Sequence, residues 1–557
     1  MHNYSPLTFG RILPEVVSKH SFMPALGYAG ETPITYHQMG QYLDALMAFL
    51  EKIHIVPGNK VAILSQNMPN WGIAFFALQR MGVITVPLLP DFSTHEISNI
   101  ITHAGLEAIF VSENLQYKID ALETPFEGKV IRLDGFELVN IDDPTVFDIN
   151  KKPAHGYLPA EDEMSILLYT SGTTGEPKGV MLSQKNVITN AIQSNDVQPI
   201  LQGDKFLSVL PLSHTYENTI GLVLPIMKGA HVSYLRKPPT ASVLIPAMQA
   251  VRPDIMLTVP MIIEKVYKTS ILPEIQKKAA TRMLSRFAPT RRLIHLMAGR
   301  KLMKKFGGRI KFFGIGGAKL DATVEEFLRE ARFPYAIGYG LTETAPLLAG
   351  SNPHNTRLQA IGPAVMQCEL KIANPNPRTG EGEIWAKGPN IMLGYYKNPE
   401  RTSEVFSQDG WFKTGDLGVF DSDGYLSHKG RLKNMIVGAN GENIYPEEIE
   451  TLINNFRHVV ESVVIEQKGK LVAMVHYNRE ELELKLNEVK ADISQKVDEK
   501  IEEITARADK AVEELTRELH RYINSRVNKI SRIHVMIEHR DPFQKTATQK
   551  IKRYLYG

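Results

Sequence analysis

The chain is 557 residues long, 43% hydrophobic and 22% charged, with a net charge of +3. Such a length argues for roughly two to four domains or subdomains, and near-balanced charge without a dense basic tract interleaved with aromatics argues against nucleic-acid binding. The single cysteine, Cys368, excludes an internal disulfide and a cysteine zinc site and suits a reducing compartment.

No run of eighteen apolar residues is present, so no membrane span is expected. Residues 1–6 lack the basic and apolar regions of a signal peptide. A cytoplasmic location is expected, with peripheral membrane contact left open. From Thr35 to about 230, helix-like and strand-like pieces alternate. Thr35–Glu51 has helical spacing at Met39, Leu43, Leu46, Phe49 and Leu50, and Lys60–Leu64 reads as a strand. Asn70–Arg80 and His95–His103 read as helices, Val83–Pro87 and Ala108–Val111 as strands. That order argues a doubly wound α/β region with a largely parallel sheet. A second such unit is read from Lys205 to about Tyr339. Between Leu358 and Leu426, short strands such as Glu383–Ala386 alternate with Gly, Pro and Asn turns, as in a small β-rich subdomain.

Beyond Arg431 the texture changes again. Ser462–Ile465 and Leu471–Tyr477 read as strands. From Val489 to Val527 apolar residues keep three- or four-residue spacing with no Gly or Pro, an amphipathic helix signal. A straight helix of that length would reach roughly 58 Å at ~1.5 Å per residue, so a break or a projecting helix is expected. Its mixed polar face fits a packed or solvent-bridging helix better than a membrane-lying one.

Residues 169–179, Tyr-Thr-Ser-Gly-Thr-Thr-Gly-Glu-Pro-Lys-Gly, concentrate backbone N–H groups, hydroxyls and one lysine, the groups that hold a polyphosphate. A glycine-rich turn is expected here between the strand Ile166–Tyr169 and a helix over Gln184–Ile192. It is not a Walker loop, since Lys178 stands between Pro177 and Gly179. It is not a kinase loop either, since no Gly-x-Gly opens it. Phe313–Ala318 is a strand end of tiny residues that a planar group could lie against. In Gly338–Thr344, glycines flank Tyr339, Thr342 offers a hydroxyl and Glu343 an oxygen ligand suited to Mg²⁺. Asp416, between Gly415 and Gly418, suits a ribose diol. Each of these is also compatible with an ordinary turn. His214, in Pro211–Glu217, reads either as a satisfied histidine or as a gate. The basic run Lys301–Lys311 reads as a solvated face or as an attractor for pyrophosphate or coenzyme A.

Taken in order, these stretches resemble the adenylate-forming family of acyl-CoA synthetases, luciferases and peptide-synthetase adenylation domains. The likeness covers roughly residues 10–557. Gly430–Lys433, Gly382–Ile384, Gly394–Tyr396 and Asp409–Phe412 also match. Residues 541–554 resemble bacterial long-chain fatty acid–CoA ligases, with one departure: Gln549 stands where the family usually has glycine before its terminal lysine.

The resemblance implies an α/β fold. A large N-terminal domain over 1–430 would hold two doubly wound subdomains and a β-rich part at about 345–430. A small α+β C-terminal domain over 431–557, with a helical insertion at about 480–530, would rotate. It implies ATP-dependent activation of a fatty acid to acyl-AMP, then transfer to coenzyme A. Open alternatives are an aryl acid, an acyl carrier protein as acceptor, or a noncatalytic acyl-binding member. Thr170, Ser171, Gly172, Thr173, Thr174 and Gly175 would hold the β- and γ-phosphates, with Lys178 in a phosphate or loop-ordering role. Glu343 would take Mg²⁺. Tyr339 would stack on adenine beside Gly316, Gly317 and Ala318, with Gly340 and Thr342 also among the cofactor-binding residues. Asp416 and Arg431 would hold the ribose and Lys433 the hinge. Lys550 would bridge carboxylate and α-phosphate, with Lys545 and Lys552 as substitutes. Gly441 and Glu442 would line a coenzyme A tunnel, and His214 would stand at the acyl mouth. Oligomeric state is not readable.

Overall fold

The structure is a computed structural model that describes residues 5–141, 145–171, 177–437, 443–467, 469–488, 498–546 and 551–557. Two eight-stranded sheets dominate. The first runs in the spatial order Gly394–Tyr395, Pro177–Ser183, Met164–Ser171, Ile84–Leu88, Lys60–Leu64, Ala108–Val111, Lys129–Arg132, Glu137–Leu138. Its centre is parallel and its edges are antiparallel. Central strands such as Ala108–Val111 are buried along their whole length, which is why they read as continuous apolar runs.

The second sheet runs Leu347–Gly350, Tyr335–Gly340, Phe312–Ile315, Ile255–Thr258, Lys205–Ser208, His231–Tyr234, Pro24–Tyr28, Ile34–Thr35. Here the sequence reading needs extension. The second unit does not begin at Lys205, because Pro24–Tyr28 pairs in parallel with His231–Tyr234. The opening of the chain thus completes the later sheet. Helix Pro69–Met81 buries Trp71, Phe75 and Phe76 fully. A Cβ on its Gly72 would meet Leu26 and Leu222 at 3.2 and 3.3 Å, so the small residue permits close packing. One continuous apolar core joins residues of both sheets.

Polar punctuation fixes the helix starts. Thr35 with Gln38, Ser93 with Glu96, and Ser183 with Asn186 each form reciprocal capping boxes. Each satisfies backbone donors that would otherwise be orphaned at the first turn. A four-stranded sheet follows, in the order Glu369–Ala373, Gly382–Lys387, Phe412–Phe420, Leu426–Arg431.

The chain separates into two compact units: Met1–Ala373 with Ile384–Thr414 and Phe420–Ser427, and Asn374–Glu383 with Gly415–Val419 and His428–Gly557. The second unit holds a three-stranded sheet, Val459–Gln467, Lys470–Tyr477 and Val535–Glu538. Helices Pro446–Asn454 and Asp498–Asn524 pack Ile449, Ile453, Val512, Leu515, Leu519 and Ile523 against Val464 and Val475. The helical signal of 489–527 therefore resolves into a packed helix from Asp498, with Arg479–Glu488 before it. Val489, Ile493 and Val497 lie outside the described residues.

Candidate nucleotide and acyl site

The glycine-rich stretch sits differently from expectation. It joins two antiparallel strands, Met164–Ser171 and Pro177–Ser183, and the helix Gln184–Val197 starts only after the second. The reason is visible in Val180 and Leu182, which alternate inward with period two and are fully buried. Thr170 pairs with Lys178 and Ser171 with Pro177 across the hairpin. Gly172, Thr173, Thr174 and Gly175 lie outside the described residues.

Lys178 projects from the hairpin to Glu343, with Nζ 2.9 Å from Oε1. Its ammonium also stands 3.9 Å from the ring centre of Tyr395, whose hydroxyl donates to the same Glu343 oxygen at 3.0 Å. Burial alone would raise the carboxyl, but the charge and hydrogen bond of Lys178, with help from Tyr395, hold it below its usual range. The Glu343 carboxylate is therefore kept ionised in a buried place. Tyr395 was not among the residues expected at the site, although Gly394-Tyr395 stood out as a motif.

Tyr339 lies on strand Tyr335–Gly340, almost buried and paired with Ala349. Gly340 must be glycine: a Cβ there would lie 1.9 Å from the Pro346 carbonyl oxygen. Thr342–Thr344 forms a single helical turn, and Asn390 Nδ2 donates to the Thr344 carbonyl at 2.9 Å. Gly314 and Gly316 have a second use besides a flat ligand. A Cβ on Gly316 would meet the Tyr216 ring at 3.1 Å, and one on Gly314 the Tyr216 hydroxyl at 3.1 Å. Gly316 is buried, while Gly317 (φ 86°) and Ala318 are exposed at the strand end.

Behind these strand ends lies an apolar pocket of about 490 Å³, its open mouth included. Tyr216, Leu224, Ile255, Leu257, Ile337 and Gly338 are among its lining. One wall is a π-helical segment, Tyr216–Val223. Such wide turns occur often at functional sites. His214 immediately precedes it, half-buried, and its Nδ1 accepts from the Tyr216 backbone N–H at 3.4 Å. Glu217 is buried, and burial pushes its carboxyl up to about 8 despite a hydrogen bond from Ser208. A neutral acid there is the physical solution to a buried carboxyl without a cation.

In the second unit Asp416 is buried and Arg431 Nε stands 2.8 Å from its Oδ1, with His428 Nε2 at 3.8 Å. Gly415 adopts φ 70°, and its N–H donates to Glu383 Oε1 at 3.1 Å. Lys433 lies exposed on the turn Leu432–Asn434. Lys550, Gly441 and Glu442 lie outside the described residues. The chain on both sides of 547–550 is anchored. Lys545 Nζ pairs with Glu461 at 2.6 Å, and Arg553 pairs with the buried Glu450. Lys545, a substitute for Lys550 on sequence grounds, is thus engaged structurally. Among the described residues no group of three or more His, Cys, Asp or Glu side chains could hold a metal, and no helix is long and apolar enough to cross a membrane.

Comparison with known proteins matches residues 13–396 to the family described as AMP-binding enzyme. The chain belongs to that family. It is similar to peroxisomal long chain acyl-CoA synthetase 6 of Arabidopsis thaliana, 29% identical over 458 residues. That alignment covers 75% of this chain and 64% of the relative, so the chain spans slightly less than two thirds of that protein's length. It is also similar to a long-chain-fatty-acid–CoA ligase of Drosophila melanogaster, 28% identical over 83% of this chain and 74% of the relative. Among solved structures, ATP-bound MatB of Rhodopseudomonas palustris superposes with a TM-score of 0.75 at 21% identity, covering 98% of each chain. O-succinylbenzoate coenzyme A synthetase of Bacillus subtilis, in complex with AMP, gives 0.73 at 22% identity, covering 98% of this chain and 97% of the other. These likenesses establish the fold as that of the adenylate-forming enzymes, a mixed α/β architecture.

Proposed function

We propose that the chain is an AMP-forming acid–thiol ligase that activates a fatty acid with ATP and transfers the acyl group to coenzyme A. One observation carries the reading beyond family membership. Ile315 and Gly338 line the apolar pocket, and the next residues in the chain are Gly316 and Tyr339. An apolar tail in that pocket would thus present its carboxylate at the strand ends assigned to the nucleotide. The names of the curated relatives support a long acyl chain.

The carboxylate is already ionised at neutral pH, with an ordinary pKa of ~4–5. It attacks the α-phosphorus, the bond to the pyrophosphate oxygen breaks, and acyl-AMP forms. No general base is required. Two anions must be brought together, so catalysis rests on neutralisation and positioning. Thr170–Gly175 hold the β- and γ-phosphates. Tyr339 stacks on adenine beside Gly316–Ala318, and Asp416, oriented by Arg431, takes the ribose hydroxyls. Glu343 is chemically fit for Mg²⁺, being a buried carboxylate held ionised, and Mg²⁺ takes one or two carboxylates with phosphate and water oxygens. When bound, the ion neutralises charge on the phosphates. Lys550 bridges carboxylate and α-phosphate in the first half. It must then leave, because the coenzyme A thiol needs the same space, and rotation of the C-terminal domain at Lys433 makes that exchange. Gly441 and Glu442 then line the thiol's path, and His214 gates the acyl mouth. A cytoplasmic location belongs to this reading, since a single cysteine, Cys368, which forms no internal disulfide, suits a reducing compartment.

The test is a pyrophosphate-release assay across a fatty-acid chain-length series, with and without coenzyme A. Release with medium or long chains, and thioester only with coenzyme A, is expected. Release without thioester points to a carrier protein as acceptor. No release with any carboxylate overturns the reading.

A further inference from the structure

Residues 275–311 hold twelve lysines and arginines and no aspartate or glutamate. Five of these cations reach carboxylates elsewhere: Arg291 and Arg292 at Glu330, Lys301 at Glu274, Arg309 at Asp254, Lys311 at Asp204. Of the other seven, Lys277 and Lys305 act on Glu274 only at longer range, and Lys278, Arg282, Arg286, Arg300 and Lys304 have no carboxylate within ion-pair distance among the described residues.

Large apolar side chains are exposed among them. Met283, Phe287, Leu293 and Met297 are each more than half exposed, and Leu284 nearly so. Helix Ala279–Leu284 has no buried residue at all. Helix Ala288–Lys305 buries His295, Gly299 and Leu302, and Gly299 faces Ala331 so closely that a Cβ would stand 2.6 Å away. Leu293, Met297, Arg300 and Lys304 follow at helical spacing on a different stripe, turned to solvent. Scattered exposed apolar residues need no explanation. A run of them in a segment with a bare helix and several cations that lack an ion pair does.

We propose that residues 277–305 form the face by which this protein docks on an anionic phospholipid bilayer. The cations meet lipid phosphates, and Met283, Leu284, Phe287, Leu293 and Met297 enter the boundary between headgroups and acyl chains. A nucleic acid or acidic protein would satisfy the charges but leave the apolar side chains in water. Position adds a reason that rests on the acyl reading. The segment follows strand Ile255–Thr258, whose Ile255 and Leu257 line the apolar pocket, after the helical stretch from Pro260 to Gln276. Fatty acids partition into bilayers, so docking here brings the pocket's own subunit to its substrate.

The test is co-sedimentation of the full chain with vesicles containing phosphatidylglycerol, with pure phosphatidylcholine vesicles and heparin as controls. Expected is binding to the anionic vesicles at least about tenfold tighter than to the neutral ones, weakening with salt. The double variant M283S/F287S is expected to lose about tenfold in vesicle affinity while keeping heparin binding, and R282E/R286E to lose both. Both alter exposed side chains, and unchanged thermal unfolding will verify that they fold. Equal partition of the wild type to neutral and anionic vesicles overturns the proposal. So does unchanged vesicle binding by M283S/F287S, which would identify a plain polyanion site. Failure of the acyl reading would appear in the pyrophosphate assay and leave this measurement untouched.

Discussion

Lys178 Nζ stands 2.9 Å from Glu343 Oε1, although 165 residues separate them in the chain. The ammonium neutralises the carboxylate proposed for the magnesium ion. A cation arriving with ATP would compete with Lys178 for Glu343 and free the lysine to turn toward a phosphate. The pair thus links the glycine-rich hairpin to the turn at Thr342–Thr344.

Lys178→Ala should leave a buried carboxylate unpaired and cost about 3 kcal/mol in denaturant unfolding at neutral pH. Glu343 is depressed in the folded state, so the stabilisation from its pairing is present above the ordinary carboxylate range and is lost as pH falls through the folded value. The difference between wild type and variant should therefore shrink in acid. A constant difference down to low pH would refute the pairing as its source.

Glu217 behaves oppositely. Its carboxyl is raised from 4.5 to about 8, so the unfolded chain ionises first and stability drains as pH rises between those values. Glu217→Gln removes that dependence. The variant should gain on wild type progressively from pH 5 to 8, by at most on the order of 5 kcal/mol at 1.36 kcal/mol per pH unit. Chemical denaturation at several pH values measures it. Parallel curves would mean that Glu217 is ionised in the fold.

Gly340→Ala should be severe, because the added Cβ meets a backbone oxygen at 1.9 Å rather than a movable side chain. A loss of about 3 kcal/mol or more is expected, with Tyr339 and Glu343 displaced. Near-normal stability and activity would show that the strand end relaxes.

Gly338→Leu intrudes on the apolar pocket proposed for the acyl chain, where its first carbon would meet only the end of Leu347, at 3.1 Å. Long chains should lose activity while shorter ones keep it. Each methylene excluded should cost roughly fourfold in kcat/KM, from ~0.8 kcal/mol per buried CH₂. A uniform loss across chain lengths would place the acyl group elsewhere.

Lys550→Ala should lose adenylation, by at least about 100-fold, yet keep much of the thioester half-reaction from supplied acyl-AMP. Equal loss in both halves would refute the division of labour.

Much of the architecture was readable because burial leaves a continuous apolar signature. Lys60–Leu64 and Ala108–Val111 were delimited to the residue, being sheet centre covered on both faces. Pro177–Ser183 was missed as a strand because its glycine and proline resemble loop chemistry and its alternation is only seven residues long. Pro24–Tyr28 carries too few residues to announce its partner 200 positions away. At the candidate site, residue types in motifs were legible, but the triangle of Lys178, Glu343 and Tyr395 is made by three distant segments. No spacing in one sequence encodes such a meeting.

The insertion of Pro24–Tyr28 beside His231–Tyr234 also sets a schedule. The strand leaves the ribosome ahead of its parallel neighbour, which follows about two hundred residues later. At roughly 5–20 residues per second, the early strand waits on the order of 10–40 s before its neighbour has been synthesised. During that interval Ala25 and Leu26, fully buried at the end, have no finished sheet to join. The sheet that bears the apolar pocket is completed by a strand made about two hundred residues before its neighbour, and a holdase acting on that segment would act on the pocket's assembly.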